Sequence, residues 1–273
     1  MLHCKDFRFD LSRPLVMGIV NVTPDSFSDG GLHLRHEAAY AHAQKLIADG
    51  ADILDIGGES TRPGAPQVSV QEELDRVLPL IERLRGSPVP ISIDTCKPEV
   101  MRAAIAAGVQ MVNDINALQD TAALQAVSAS EVAVCLMHKQ GTPQTMQRQP
   151  DYQDVVAEVH DFLRQRIAAA EAAGIARERI AIDPGFGFGK TLTHNLELLR
   201  HQDRLRSLGV PILAGLSRKS MLGAITGREV GERMAASIAA ALIAVQRGAS
   251  IVRVHDVRET VDALKILNAV NGE

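Results

Sequence analysis

Asp94, Asn113, Asp183 and Lys219 are the side chains of this sequence whose types and placement best suit chemistry. Each ends or follows a short apolar run, in ISIDT (Ile91 to Thr95), VNDIN (Val112 to Asn116), AIDPGFGFGK (Ala181 to Lys190) and ILAGLSRKS (Ile212 to Ser220). The apolar runs read as buried strands, so the four polar groups stand at or just beyond strand C-terminal ends. In an α/β barrel those ends converge on one mouth, however far apart they are in sequence. Two carboxylates, an amide and an ammonium in one cavity are costly to bury without a partner, so a ligand is expected there. Such groups could grip the edge of a planar heterocycle.

Other segments carry groups of the same kind. NVTPDSFSDGGLH (Asn21 to His33) and GGESTRPGAPQ (Gly57 to Gln67) are long and rich in Gly, Pro, Ser and Asp. Phe27, Asp29, Thr61 and Arg62 on such loops are where lids and catalytic groups are expected. LSRKSMLG reads as a helix start, where exposed amides beside Arg218 and Lys219 would favour an anion. RVHD places Arg253 and His255 two residues apart on a strand, hence on one face, where both could address one phosphate group. A structural pairing of His255 with Asp256 is the alternative. DPGFGFGKT is not a phosphate loop, because GxxxxGK[ST] needs a glycine where Pro184 stands. Its glycines suggest close approach of the backbone and Phe188 to a flat ligand, with Asp183 as the specific contact.

The elements that must position these groups alternate along almost the whole chain. Strands are expected at Leu15 to Val20, Ile53 to Ile56, Ile91 to Ile93, Met111 to Asn113, Val132 to Met137, Ile180 to Ile182, Ile212 to Ala214 and Ile251 to Val254. Amphipathic stretches at His36 to Ala48, Gln71 to Arg85, Pro98 to Ala107 and Tyr152 to Ala173 read as helices. Glu72, Glu73 and Asp75 in one first turn suit the helix dipole. Gly50, Gly108, Gly174, Gly209 and Gly248 sit between helix and strand, as C-cap glycines do. Eight β-α units without a linker predict an α/β fold, one (β/α)8 TIM barrel spanning residues 1–273, over a doubly wound open sheet. The alternating Leu2 to Leu11 stretch predicts a short N-terminal hairpin at the barrel's base.

Bulk properties exclude several classes. With 46% apolar and 23% charged residues, the 273-residue chain has ample core for a globular protein. A net charge of −4 without a basic stripe, no Trp and 3% aromatics argue against nucleic acid as a partner. The most apolar helix candidate, Met234 to Val245, is too short for a bilayer and is expected to be covered on one face by a second subunit. No membrane partner is expected. Cys4, Cys96 and Cys135 are odd in number and lack metal-like spacing, which suits a reducing cytoplasm; Cys96 reads as a buried filler with no base beside it.

Seven motifs, MGIVNVTPDSFSDGG, GADILDIGGESTRPGA, VNDI, VCLMHKQGTPQTMQ, DPGFGFGK, GLSRKS and RVHDV, follow one another in the order found in the dihydropteroate synthase family. The chain resembles that family from the first strand to the last helix, with Cys96 standing where a serine is more usual. The resemblance implies a barrel enzyme that condenses (7,8-dihydropterin-6-yl)methyl diphosphate with 4-aminobenzoate in folate biosynthesis, commonly as a homodimer. It implies pterin contacts from Asp94, Asn113, Asp183, Lys219, Met137 and Gly215. It places the diphosphate at Asn21, Thr61, Arg62, Arg253 and His255, with Asn21 also holding Mg²⁺. It places 4-aminobenzoate between Phe27, Pro63 and Phe188, its carboxylate at Ser220. Catalytic roles fall to Asp94, Asp29, Arg253, His255 and Lys219. The alternatives are a pterin-dependent methyltransferase of the same superfamily, a Schiff-base aldolase using Lys219, and a pterin-binding paralogue without activity.

Overall fold

The computed structural model describes residues 1–23, 32–60, 67–141, 146 and 150–272, with the backbone alone for 32–35. The chain opens with a hairpin, β1 (Leu2–Cys4) and β2 (Phe7–Phe9), antiparallel with Leu2 opposite Phe9. Strand and helix then alternate through β3 (Leu15–Asn21), α1 (Leu32–Ala48), β4 (Ile53–Gly57), α2 (Val70–Arg83), β5 (Ile91–Asp94), α3 (Pro98–Ala107), β6 (Met111–Asp114) and α4 (Thr121–Ser128). The pattern continues through β7 (Ala133–Met137), α5 (Val155–Ala172), β8 (Ile180–Asp183), α6 (Leu192–Arg200), β9 (Leu213–Ala214), α7 (Ser220–Thr226), α8 (Met234–Gln246), β10 (Ile251–Val254) and α9 (Val257–Asn271). The larger sheet is parallel, in the order β8-β7-β6-β5-β4-β3-β10-β9. A parallel bridge from Ile182 to Ile212 joins its two edges. That bridge turns the sheet into a barrel and rules out the open doubly wound alternative.

Alternation along the strands sorts side chains into two cores. Val16, Leu54, Ile56, Ile93, Val112, Val134 and Ile182 point outward into a core shared with the helices. Leu15, Met17, Ile53, Met111, Ala133, Cys135, Ala181, Leu213 and Ile251 form an inner core with Leu2 and Cys4, against which Phe7, Phe9 and Leu11 pack. Most of these inner residues come from the N-terminal halves of their strands, so the hairpin closes that end, as expected. The barrel floor is mostly apolar, with Ser92, the ladder partner of Met111, buried at its level.

Boundaries shift where caps and ladders outweigh hydropathy. β3, β5 and β8 extend by one residue to Asn21, Asp94 and Asp183, because the parallel ladder continues past the apolar run. Helix α5 begins at Val155 rather than Tyr152, since Asp154 accepts from the amides of Val156 and Ala157 at 3.0 Å each. The helix expected at SRKS starts only at Ser220, with Lys219 as its N-cap residue. All five interelement glycines have positive φ. No helix of the described residues is long and apolar enough to cross a membrane.

Candidate active site

Ladder register assembles the mouth. Asn21 is the cross-strand partner of Gly57, Gly57 of Asp94, and Asp94 of Asn113, so three polar side chains from three strands share one rim. Gly57 keeps that rim open: a side chain begun there would meet Asn21 Oδ1 at 3.7 Å and Asp94 Oδ2 at 3.8 Å. Beneath the rim lies Asp55, 0% exposed, which the sequence reading did not single out. Its Oδ2 accepts from Arg253 Nε at 2.5 Å and from Asn113 Nδ2 at 3.0 Å. Arg253 also donates from Nη2 to Asp94 Oδ2 at 2.7 Å. One guanidinium thus ties two carboxylates to an amide-bearing strand, and Asn113 is held with its nitrogen toward Asp55.

Charge in this network is unevenly satisfied. Asp94 Oδ1 and Asp55 Oδ1 are buried without a hydrogen-bond partner among the described residues. Burial pushes the Asp94 carboxyl up to about 7, against the opposing charge of Arg253 and with the charge of Asp55 adding to the rise. Burial works against the Arg253 cation, but Asp55 and Asp94 outweigh it and raise its pKa. An orphaned carboxylate oxygen at a strand end is a site prepared for an N–H donor that the protein does not supply.

Asp183 and Lys219 line the opposite stretch of the rim and lie together. A side chain begun at Gly215 would meet Asp183 Oδ2 at 3.7 Å and Lys219 Nζ at 3.9 Å, so Gly215 leaves the space between them clear. Asp183, 5% exposed, accepts from the Gly185 amide through Oδ1 at 2.7 Å. Burial raises its pKa, while Lys219, that amide and Lys190 oppose the rise. Met137 is the ladder partner of Asp183 and is buried beside it. Lys219 donates to the Phe186 carbonyl and lies 4.7 Å from the centroid of the Phe188 ring. Burial pulls the Lys219 ammonium down to about 8. Arg218, its neighbour in sequence, turns away to Asp256 with Nη2 to Oδ1 at 2.5 Å.

The DPGFGFGK segment is shaped by the protein more than by a ligand. A side chain on Gly185, at φ +69°, would begin 1.8 Å from the His138 carbonyl oxygen, and one on Gly189 2.5 Å from that of Gln140. These glycines exist because the loops after β7 and β8 run against each other. Lys190, 2% exposed, donates to the Gly185 carbonyl at 2.9 Å and the Phe188 carbonyl at 3.2 Å, and lies 2.9 Å from His138 Nδ1. Burial draws Lys190 down to about 7; burial and the Lys190 charge hold His138 near 3. A neutral His138 accepting from Lys190 fixes the loop that presents Phe186 and Phe188.

His255 leaves strand β10 two residues after Arg253, and its partner is Ser217 rather than Asp256. Asp256 pairs instead with Arg218, against the expected His255–Asp256 alternative. Ser220 is exposed at the start of α7. Cys96 lies part-buried, its thiol pushed up to about 11 by burial. Phe27, Asp29, Thr61, Arg62 and Pro63 lie outside the described residues.

The stem of the second loop is clamped by an ion cluster. Lys97 Nζ donates to Glu59 Oε2 at 2.5 Å and to Glu73 Oε2 at 2.6 Å, Glu59 accepts from the Val68 amide, and Arg76 donates to the Gly58 carbonyl. Glu73, read from sequence as a dipole residue of α2, is wholly buried and serves this clamp. Lys97→Met leaves Glu73 buried beside Glu59 with no cation. The expected stability loss is about 3 kcal/mol, read as a lower denaturant midpoint at unchanged m.

A barrel whose C-terminal mouth joins paired acids and an amide to a lysine over a phenyl ring defines an enzyme that grips a flat, nitrogen-rich ring. Residues 17–255 match the model of the pterin-binding enzyme family. The chain is 51% identical over 269 residues to the dihydropteroate synthase of Escherichia coli K12, covering 98% of this chain and 95% of that protein. It is similar to the Xanthomonas albilineans dihydropteroate synthase with 4-aminobenzoic acid, at 59% identity and a TM-score of 0.91 over 96% of this chain and 95% of that one. The same enzyme in complex with 7,8-dihydropteroate superposes at a TM-score of 0.89 and 56% identity, over 97% and 96% of the two chains. The chain belongs to the dihydropteroate synthase family.

Proposed function

We propose that the chain joins (7,8-dihydropterin-6-yl)methyl diphosphate to 4-aminobenzoate, giving 7,8-dihydropteroate and diphosphate. The observation that carries this reading is the pairing of a buried, unpartnered Asp94 Oδ1 with Asn113 on one side of the mouth and Asp183 beside Lys219 on the other. A 2-amino-4-oxo-pterin offers an N–H edge that a carboxylate accepts in a fork, which suits Asp183, whose Oδ1 keeps a second lone pair beside the Gly185 amide. Asp94 and Asn113 suit the remaining ring nitrogens, and Lys219 covers a ring face and donates to the ring's acceptors. Met137 and Gly215 bound the slot.

The bond that breaks joins the pterin methylene carbon to the diphosphate oxygen. The bond that forms joins that carbon to the arylamine nitrogen, which then loses a proton. The electron-rich reduced ring lets diphosphate leave first, so the demand on the protein is to stabilise separated charge. Asp94 faces the developing cation, with Asp29 as a second carboxylate from the first loop. Arg253 uses Nε and Nη2 on Asp55 and Asp94, and a guanidinium has five N–H donors, so others remain for the departing diphosphate beside His255. Thr61 and Arg62 complete that end; Phe27, Pro63 and Phe188 hold the 4-aminobenzoate ring, with Ser220 at its carboxylate.

A Mg²⁺ ion fits this reading. Asn21 offers one amide oxygen at the rim next to Asp94, a donor set that suits an ion whose other places go to diphosphate oxygens and water. Such an ion would neutralise charge on the leaving group. Purified chain with Mg²⁺, the pterin diphosphate and 4-aminobenzoate should release diphosphate and form 7,8-dihydropteroate in equal amounts. Binding of the pterin without any turnover would instead favour an inactive paralogue.

The outer stripe of α8 supports a homodimer. Met234, Ala235, Ala239 and Ile243 are exposed on a helix with no charged residue between Met234 and Gln246, and none of the described residues covers them. Ile243→Glu should shift the light-scattering mass from two chains to one at micromolar concentration; an unchanged dimer would move the interface elsewhere. Three unpaired cysteines, two of them buried, support work in a reducing cytoplasm.

A further inference from the structure

Ser217 touches His255 twice. Its Oγ lies 3.2 Å from the backbone nitrogen of His255 and 2.9 Å from Nδ1 of the same residue. The backbone N–H can only donate, so the hydroxyl oxygen accepts there. Ser217 is buried, and its own proton has no other acceptor within reach among the described residues. Leaving that proton unpaired is costlier than using it, so the hydroxyl donates to Nδ1. A ring nitrogen that accepts carries no proton, and the N–H of a neutral imidazole must then sit on Nε2.

We propose that Ser217 is a positioning residue that holds His255 as the Nε2–H tautomer, making the ring a donor while it is neutral. The proposal rests on the reading above, in which His255 faces the departing diphosphate. A neutral donor can meet an oxygen of the leaving group without first taking a proton from solution.

The surroundings hold Ser217 where this requires. Arg218 has φ +58°, a conformation non-glycine residues adopt only when held. Its amide donates to Ser237 Oγ at 2.9 Å, its carbonyl accepts from Arg233 at 3.1 Å, and its guanidinium grips Asp256. Two adjacent residues of the loop after β9, Ser217 and Arg218, thereby grip two adjacent residues after β10, His255 and Asp256.

The test is ¹⁵N NMR of the full-length, histidine-labelled protein at mildly alkaline pH, with His255 assigned through His255→Gln. Wild type should show Nδ1 as the unprotonated nitrogen. Ser217→Ala should give a mixture of tautomers and slow kcat about tenfold, with KM for 4-aminobenzoate unchanged. Ser217→Thr, which restores the hydroxyl, should recover both. A protonated Nδ1 in wild type, or a Ser217→Ala protein with wild-type tautomer and rate, would overturn the proposal. Wild type that releases no diphosphate would defeat the assigned reaction instead, and the tautomer ratio would still decide what Ser217 does.

Discussion

Asp94→Asn is expected to lower kcat by about 10²- to 10³-fold while the Kd of the pterin diphosphate stays within about tenfold. The amide has nearly the shape of the carboxylate and can still accept from the ring. What it lacks is the negative charge that a cation forming at the methylene carbon would meet. Preorganised charge of this kind acts only when charge develops, so the loss belongs in kcat rather than in binding. The pH profile supplies a second reading. Burial holds the Asp94 carboxyl up to about 7 in the free protein, so its ionised fraction grows as pH rises through neutrality. Lys219, drawn down to about 8, loses its proton above that value. A bell-shaped kcat/KM follows, rising through about pH 7 and falling beyond about pH 8. Asp94→Asn should abolish the rising limb alone. Full turnover in the variant would end the assignment of charge stabilisation to Asp94.

The second large effect is expected at Asp55, which touches no substrate in the proposed reading. Its Oδ2 serves Arg253 and Asn113 together, from a position with no solvent access. In Asp55→Leu, Arg253 keeps only Asp94 as a counter-ion and Asn113 loses the acceptor that sets its amide. Removing one partner from a buried charge network leaves the other charges under-compensated. The expected stability loss is about 3 kcal/mol, with pterin affinity weaker by about tenfold. Asp55→Asn returns an oxygen without the charge and should recover part of each. Denaturant midpoints at constant m measure the first quantity, and titration calorimetry with a pterin the second. A variant as stable as wild type with unaltered pterin affinity would show that Arg253 and Asn113 are positioned by their strands alone.

Much of this molecule could be read before any coordinates. The apolar runs ending in Asn113, Ile182 and Val254 marked strands, and their rhythm with amphipathic helices implied the barrel. Barrel topology alone then brought Asp94, Asn113, Asp183 and Lys219 to one mouth. The alternating Leu2 to Leu11 stretch foretold the hairpin that plugs the floor. Local chemistry of this sort depends on near neighbours, and near neighbours are written in the sequence.

Partners across the barrel are a different matter. Arg253 is 198 positions from Asp55 and 159 from Asp94, and the shear of a closed sheet decides which carboxylates it meets. Period-two alternation told which face Arg253 occupies but not at what height, so its ion pairs with Asp55 and Asp94 could not be read beside the expected phosphate contact. The same holds for Lys190, whose amine turned inward to His138, and for Glu73, which left the surface of α2 to meet Lys97. Gly185 looked like a residue making room for a ligand, and instead it makes room for the His138 carbonyl. Residue types and their order thus settled the fold class and the family, and pointed to Asp94, Asn113, Asp183 and Lys219 as groups at the strand ends. Only ring closure, which fixes strand stagger and the distance between loops, decided which of those groups neutralise one another and which stay open to a substrate.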